Sequence, residues 1–178
     1  LSRKSIAKAL NAAAQEILFT SGGTEANNWI LRSAVKDLKV RRIISSKMEH
    51  HAVLYPILEL QKEFDIQVEY VDNSADGVLD LTHLVDLLSE STEKTLVSLM
   101  HVNNETGVVL DLERVSQICQ EHHALFHSDT VQAVGKAILD LQKVPIDFIV
   151  SSAHKFHGPK GVGFAFIRKN LGLQPLFF

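Results

Sequence analysis

A chain of 178 residues, 46% hydrophobic and 22% charged, has the apolar material for one packed domain, and its net charge of −3 gives no basis for nucleic acid or an anionic membrane as partner. No apolar run reaches the roughly 18 residues that a membrane span needs, and the polar N-terminal stretch LSRKSIAKALNAAAQE does not suit a secretory signal. The lone cysteine, Cys119, excludes an intramolecular disulfide framework and fits a reducing, cytoplasmic setting.

The N-terminal stretch reads as a helix, and it begins without Met, as a fragment or a processed chain does. Short apolar runs then alternate with amphipathic stretches. EILFTS (16–21) precedes TEANNWILRSAVKDL, RRIISS (41–46) precedes HAVLYPILELQKEF, QVEYVD (67–72) precedes LTHLVDLLSE, and TLVSLM (95–100) precedes DLERVSQICQEHH. ALFHSD (124–129), FIVSS (148–152) and VGFAFI (162–167) complete the runs. Nearly continuous apolar character marks strands covered on both faces, and strand–helix alternation implies right-handed crossovers and a parallel sheet. Only a Gly/Pro-rich turn joins the last two runs, so the seventh strand is expected to be antiparallel. The fold class is α/β, a three-layer α/β/α sandwich with a mainly parallel seven-stranded sheet, and residues 1–178 read as a single domain.

In such sheets ligands gather at the carboxyl ends of the strands. Ser21, Gly22, Gly23 and Thr24 follow the first strand; Glu49, His50 and His51 the second; His101, Asn103, Asn104 and Glu105 the fourth. His127 and Asp129 end the fifth, with Gln132 beyond, and Ser152, His154 and Lys155 follow the sixth.

Each group has two readings. The glycines of TSGGTEANN permit close approach to a ligand, and the helix start with Thr24 forms an anion site; otherwise Ser21 or Thr24 is a simple N-cap. Asp129 in HSDTVQ is costly at a buried strand end unless it meets a cation or donors, such as a protonated ring nitrogen; otherwise it caps a helix over TVQAVGK. His50 is a ligand to a metal or a flat plate against a ring, although no metal-ligand spacing accompanies it. The amides of HVNNETG face a ligand or close Asx turns. Cys119 shares a helical face with Leu112, Val115 and Ile118 and reads as a buried small hydrophobe. Lys155 is a surface charge, a phosphate contact or a Schiff-base nucleophile. An anion pocket, a cation-binding carboxylate, a stacking ring and an amine together match what pyridoxal 5'-phosphate needs.

FTSGGTEANN, EHHAV, HVNNETGVV, HSDTVQAVGK and SAHKFHGPKGVG, in this order along the whole chain, resemble the cysteine desulfurases, pyridoxal-phosphate enzymes of the class V aminotransferase group. The resemblance implies the large domain of the aspartate aminotransferase fold. It implies that Lys155 binds the cofactor, that Asp129 partners the pyridine nitrogen, and that His50 stacks on the ring and assists proton transfer. It places Gln132 and Asn104 near the ring oxygen, and Gly23, Thr24, Ser152 and His154 at the phosphate. The implied reaction converts L-cysteine to L-alanine and an enzyme persulfide for iron–sulfur cluster assembly or other sulfur transfer, in a homodimer that hands sulfur to an acceptor protein. The family's nucleophilic loop cysteine, its small C-terminal domain and its N-terminal segment have no counterpart here, so the chain is expected to be a cofactor-binding fragment that is inactive alone. Selenocysteine lyase, another class V aminotransferase, a non-catalytic phosphate-binding module and a metal hydrolase using His127 and Asp129 are the competing readings.

Overall fold

The computed structural model describes residues 1–174. In chain order the elements are α1 (Ser2–Ala9), β1 (Ile17–Thr20), α2 (Gly23–Lys36), β2 (Arg42–Ser45), α3 (His51–Phe64), β3 (Gln67–Tyr70), α4 (Leu81–Ser89), β4 (Thr95–Ser98), α5 (Leu112–Glu121), β5 (Leu125–Asp129), β6 (Phe148–Ser152) and β7 (Gly163–Ile167). They form one seven-stranded sheet in the order β1-β7-β6-β5-β4-β2-β3. Strands β2 to β6 pair in parallel, and β7 runs antiparallel to both β6 and β1. The expected mainly parallel α/β sheet with an antiparallel seventh strand is what the structure shows.

Alternation along each strand sends neighbouring side chains to opposite faces. One face packs Ile44, Val97, Phe126, Ile149 and Phe166 against α1, α4 and α5, where Leu84, Leu88, Val115, Ile118 and Cys119 are buried. The other packs Ile43, Leu96, Phe148, Val150 and Ala165 against Ala26, Ile30, Ala34, Val53 and Ile57 of α2 and α3. Two covered faces account for the continuous apolar runs in the sequence.

Two expected helices differ. The N-terminal helix stops at Ala9, because Asn11 takes a positive φ of 52° that ends it, and a short 3-10 turn over Ala14–Glu16 leads into β1. No α-helix forms over TVQAVGK; the β5–β6 connection is a series of turns. Gly135, at φ 80°, breaks the pattern there, and a Cβ on it would come within 2.6 Å of the Phe156 Cβ, so this residue also lets the turn lie against the segment after β6.

The glycine that opens β7 sets how closely the loop after β1 can approach. A Cβ on Gly163 would lie 2.5 Å from the Ser151 carbonyl oxygen and 2.6 Å from the Gly22 Cα, both backbone atoms that cannot rotate away. Gly163→Ala is therefore expected to destabilise the fold by about 1–3 kcal/mol, the usual cost of overpacking. Urea unfolding measures it, and an unchanged midpoint would show that the loop has room to move.

Candidate active site

The parallel strands deliver their C-terminal ends to one edge of the sheet, where a cavity of about 240 Å³ opens. Its lining includes Gly23, Thr24, His50, Asn104, Asp129, Gln132, Ser152, His154 and Lys155, together with Asn27, Met100 and Val131. The structure thus brings together every residue singled out above as a cofactor contact.

Asp129 is the last residue of β5 and is buried. Its Oδ1 accepts from the Val131 amide at 3.0 Å, and its Oδ2 accepts from Asn27 Nδ2 at 2.8 Å. The first bond closes a local turn and is not the helix cap of the alternative reading, since no helix follows; the second reaches across to α2. Burial raises the carboxyl above its ordinary range, while the Val131 and Asn27 donors and nearby His50 pull it back. No ion pair among the described residues includes it. A buried carboxyl with neutral donors and no protein cation is a site for an external one.

Helix α2 begins in the cavity lining, with Gly23 and Thr24. Its N-cap is Gly22, which has no side chain to cap with, so the simple capping role for Ser21 or Thr24 does not hold. Ser21 instead donates from its amide and hydroxyl to Glu25, which holds that carboxyl below its ordinary range. The Gly23 amide donates to Ser152 Oγ at 2.7 Å, which fixes the Ser152 hydroxyl and leaves its proton free to point elsewhere. Thr24 follows in the first helical turn, where amides lack an intrahelical carbonyl partner. An uncapped helix start beside two hydroxyls and His154 favours an anion.

His50 is the N-cap of α3, and its Nδ1 accepts from the Ala52 amide at 3.0 Å. That bond fixes the ring's orientation and leaves the proton on Nε2 in the neutral form. His51 turns away and stacks on Tyr55 with ring centroids 4.8 Å apart, so the adjacent histidines do different things. Lys155 lies in a 3-10 turn over Ala153–Phe156 that directly follows β6, and its side chain is exposed at the cavity. His157 closes that turn at a positive φ of 67° and does not line the cavity. Gln132 accepts from Lys136 Nζ at 3.1 Å.

Other strand-end polar groups serve the fold. Asn103 donates to the Met48 carbonyl at 2.9 Å and accepts from the Glu105 and Thr106 amides, the Asx-turn reading, while Asn104 beside it faces the cavity. His127 is fully buried with Nδ1 2.8 Å from Ser98 Oγ, and burial pushes it down to about 3. It is neutral and outside the cavity. Among the described residues no three His, Cys, Asp or Glu side chains are grouped to hold a metal ion. Cys119 is buried in the core of the α5 face, and burial raises its thiol. Asn27 is the residue the sequence did not mark for this site: it falls on the buried stripe of α2, where spacing signals only packing.

The chain matches the family described as Aminotransferase class-V over residues 1–176. It is 41% identical over 169 residues to the cysteine desulfurase IscS of Pseudoalteromonas translucida (strain TAC 125), a match that covers 94% of this chain and 41% of that protein. Among solved structures it resembles a NifS-like protein at a TM-score of 0.92 and 40% identity, covering 98% of this chain and 48% of the other. It also resembles SspA in complex with cysteine at a TM-score of 0.89 and 33% identity, covering 98% of this chain and 51% of the other. The chain therefore spans about half or less of the length of each.

Removing the Asn27 amide while keeping its bulk should expose how Asp129 is supported. Asn27→Leu is expected to cost about 1–3 kcal/mol, the range for a buried group left without its partner. The loss should be larger at pH 8 than at pH 5, because the missing donor raises the carboxyl further and penalises its ionised form. Urea midpoints at the two pH values test this, and equal losses would contradict it.

Proposed function

Because the chain belongs to the class V aminotransferase family, we propose that it is the cofactor-binding part of a cysteine desulfurase and holds pyridoxal 5'-phosphate at the carboxyl edge of its sheet. The observation that carries this reading is the shared cavity of Asp129 and Lys155, a buried carboxyl lacking a cation and an exposed amine, delivered by the adjacent strands β5 and β6.

The lining fits the group at each end. Asp129 would hold the protonated ring nitrogen, since its geometry supplies an anion with the cation missing. His50, with its ring fixed by the Ala52 amide, would lie against the ring. Asn104 and Gln132 would face the ring oxygen. Thr24, Ser152, His154 and the uncapped start of α2 would take the phosphate, with Gly23 keeping Ser152 Oγ in place. When bound, pyridoxal phosphate supplies an aldehyde with which an amine condenses and a protonated ring that draws electrons from the neighbouring carbon.

The chain's own residues set the conditions for that chemistry. Asp129, as the ionised partner, keeps the proton on the ring nitrogen and so keeps the ring electron-poor. Lys155 Nζ would hold the aldehyde end and, once freed from it, would move the substrate's Cα proton. His50 Nε2, the nitrogen not committed to Ala52, is the second proton-carrying atom beside the cavity. The substrate is L-cysteine, which leaves as L-alanine while its sulfur passes to a thiol as a persulfide. Cys119 cannot be that thiol, being buried in the opposite core with its ionisation disfavoured. The accepting thiol is supplied from outside the described residues, in a cytoplasmic homodimer that passes sulfur to an acceptor protein, as in iron–sulfur cluster assembly.

Incubation with pyridoxal phosphate should produce a visible absorption band, and borohydride should then fix the cofactor's mass on the peptide carrying Lys155. Lys155→Ala should abolish band and label, and Asp129→Ala should weaken binding at least tenfold. A parent protein that stays colourless, or a label at another lysine, would overturn the cofactor reading.

A further inference from the structure

The residue before His50 is a glutamate, yet it is only 5% exposed. Glu49 Oε1 accepts from the Met100 amide at 2.8 Å and from Ser46 Oγ at 3.0 Å. One oxygen thus joins the segment leaving β2 to the segment leaving β4. The other, Oε2, is buried and has no hydrogen-bond partner among the described residues. Glu49 lines a second cavity of about 170 Å³ with Met48, Gly77, Leu79 and Asn103. Met100, whose amide Glu49 holds, lines both that cavity and the first. Asn103 reinforces the same junction through the Met48 carbonyl, so the loops that carry His50 and Asn104 are tied to each other as well as to the sheet.

No ion pair among the described residues includes Glu49. The other titratable groups lining the two cavities are His50, Asp129, His154 and Lys155 in the first and Asp111 in the second. An ionised Glu49 would add a second buried anion near Asp129 without a cation of its own, an arrangement whose desolvation cost nothing repays. Burial raises its carboxyl to about 8; the Asp129 charge adds to the rise, while the Met100 amide and Ser46 hydroxyl oppose it.

We propose that Glu49 is a positioning residue held as the neutral acid, whose carboxyl clamps the ends of β2 and β4 together and so fixes His50 against the cofactor cavity. The inference rests on the reading of that cavity as the cofactor site. Neutrality matters to the site because it leaves Asp129 as the single buried anion lining the cavity. It matters to the fold because the ionised form carries a desolvation cost that the Met100 and Ser46 donors offset only in part.

Two substitutions separate geometry from charge. Glu49→Gln keeps the accepting oxygen and cannot ionise; Glu49→Leu keeps bulk and loses the clamp. Glu49's folded value lies above its ordinary value of 4.5, so the stability it contributes is full below that pH and is lost as the pH rises towards about 8. In the cofactor-free protein, E49Q should therefore gain on the parent in unfolding temperature between pH 5 and pH 9, by about 5 °C or more. At neutral pH the Ala52 amide resonance, which reports its bond to His50 Nδ1, should move in E49L and stay in E49Q. Pyridoxal phosphate affinity, read by absorption, should be within about threefold of the parent in E49Q and at least about tenfold weaker in E49L. A folded E49L with parental affinity and an unmoved Ala52 resonance would overturn the proposal. So would an E49Q-to-parent difference independent of pH, a measurement that stands even where E49L does not fold. A parent that fails to bind pyridoxal phosphate would overturn the cofactor reading alone, because the thermal and resonance measurements need no cofactor.

Discussion

A carboxyl group buried at the end of a strand is the constraint around which this molecule is arranged. Asp129 is buried with two donors and no ion pair among the described residues. Its first donor is local, the Val131 amide two residues on. Its second, Asn27, must come from another element, and this requires α2 to lie across the carboxyl edge of the central strands. The same placement of α2 brings its uncapped start into the cavity lining. One long-range hydrogen bond thereby couples the Asp129 carboxyl to the start of α2 through a single helix.

Much of this was legible in the chain. Continuous apolar runs marked the strands, and the amphipathic stretch 51–64 matches α3 as found. At least one residue at the end of each of β1, β2, β4, β5 and β6 lines the cavity, because a parallel sheet carries those positions to one edge whatever the details of packing. The polar residues that hold the lining in place were harder to see. Asn27 occupies a buried helical position that ordinarily signals a hydrophobe, and its partner lies far along the chain. Glu49 stood in the sequence as one more polar strand-end residue. Its burial and its bond to the Met100 amide depend on how the loops after β2 and β4 settle against each other. The missing helix after β5 has a similar origin. TVQAVGK has helical composition, but Gly135 takes a left-handed conformation against Phe156, a tertiary contact that local propensity does not contain.

The polar groups fall into two classes by where their hydrogen bonds go. Asn103, His101 and His127 are committed to or enclosed by the fold; His101 is buried and depressed in basicity, and its backbone bonds both Asp129 and Leu110. His154, Lys155 and Thr24 are exposed at the rim of the cavity. The first class makes the edge rigid so that the second can meet a ligand in a fixed arrangement.

The sheet order carries a consequence for how the protein comes into being. Among the described strands β1 pairs only with β7, through contacts such as Ile17 with Phe166, so it has no sheet partner until β7 is complete. Pairings this distant along the chain are slow and leave strand edges open to wrong partners in the meantime. The glycine loop after β1 stays outside the sheet for the same interval, and with it the Gly23 bond to Ser152. On a ribosome, therefore, the end of the cavity that Gly23 and Ser152 line takes its place in the sheet only once Ile167 has emerged.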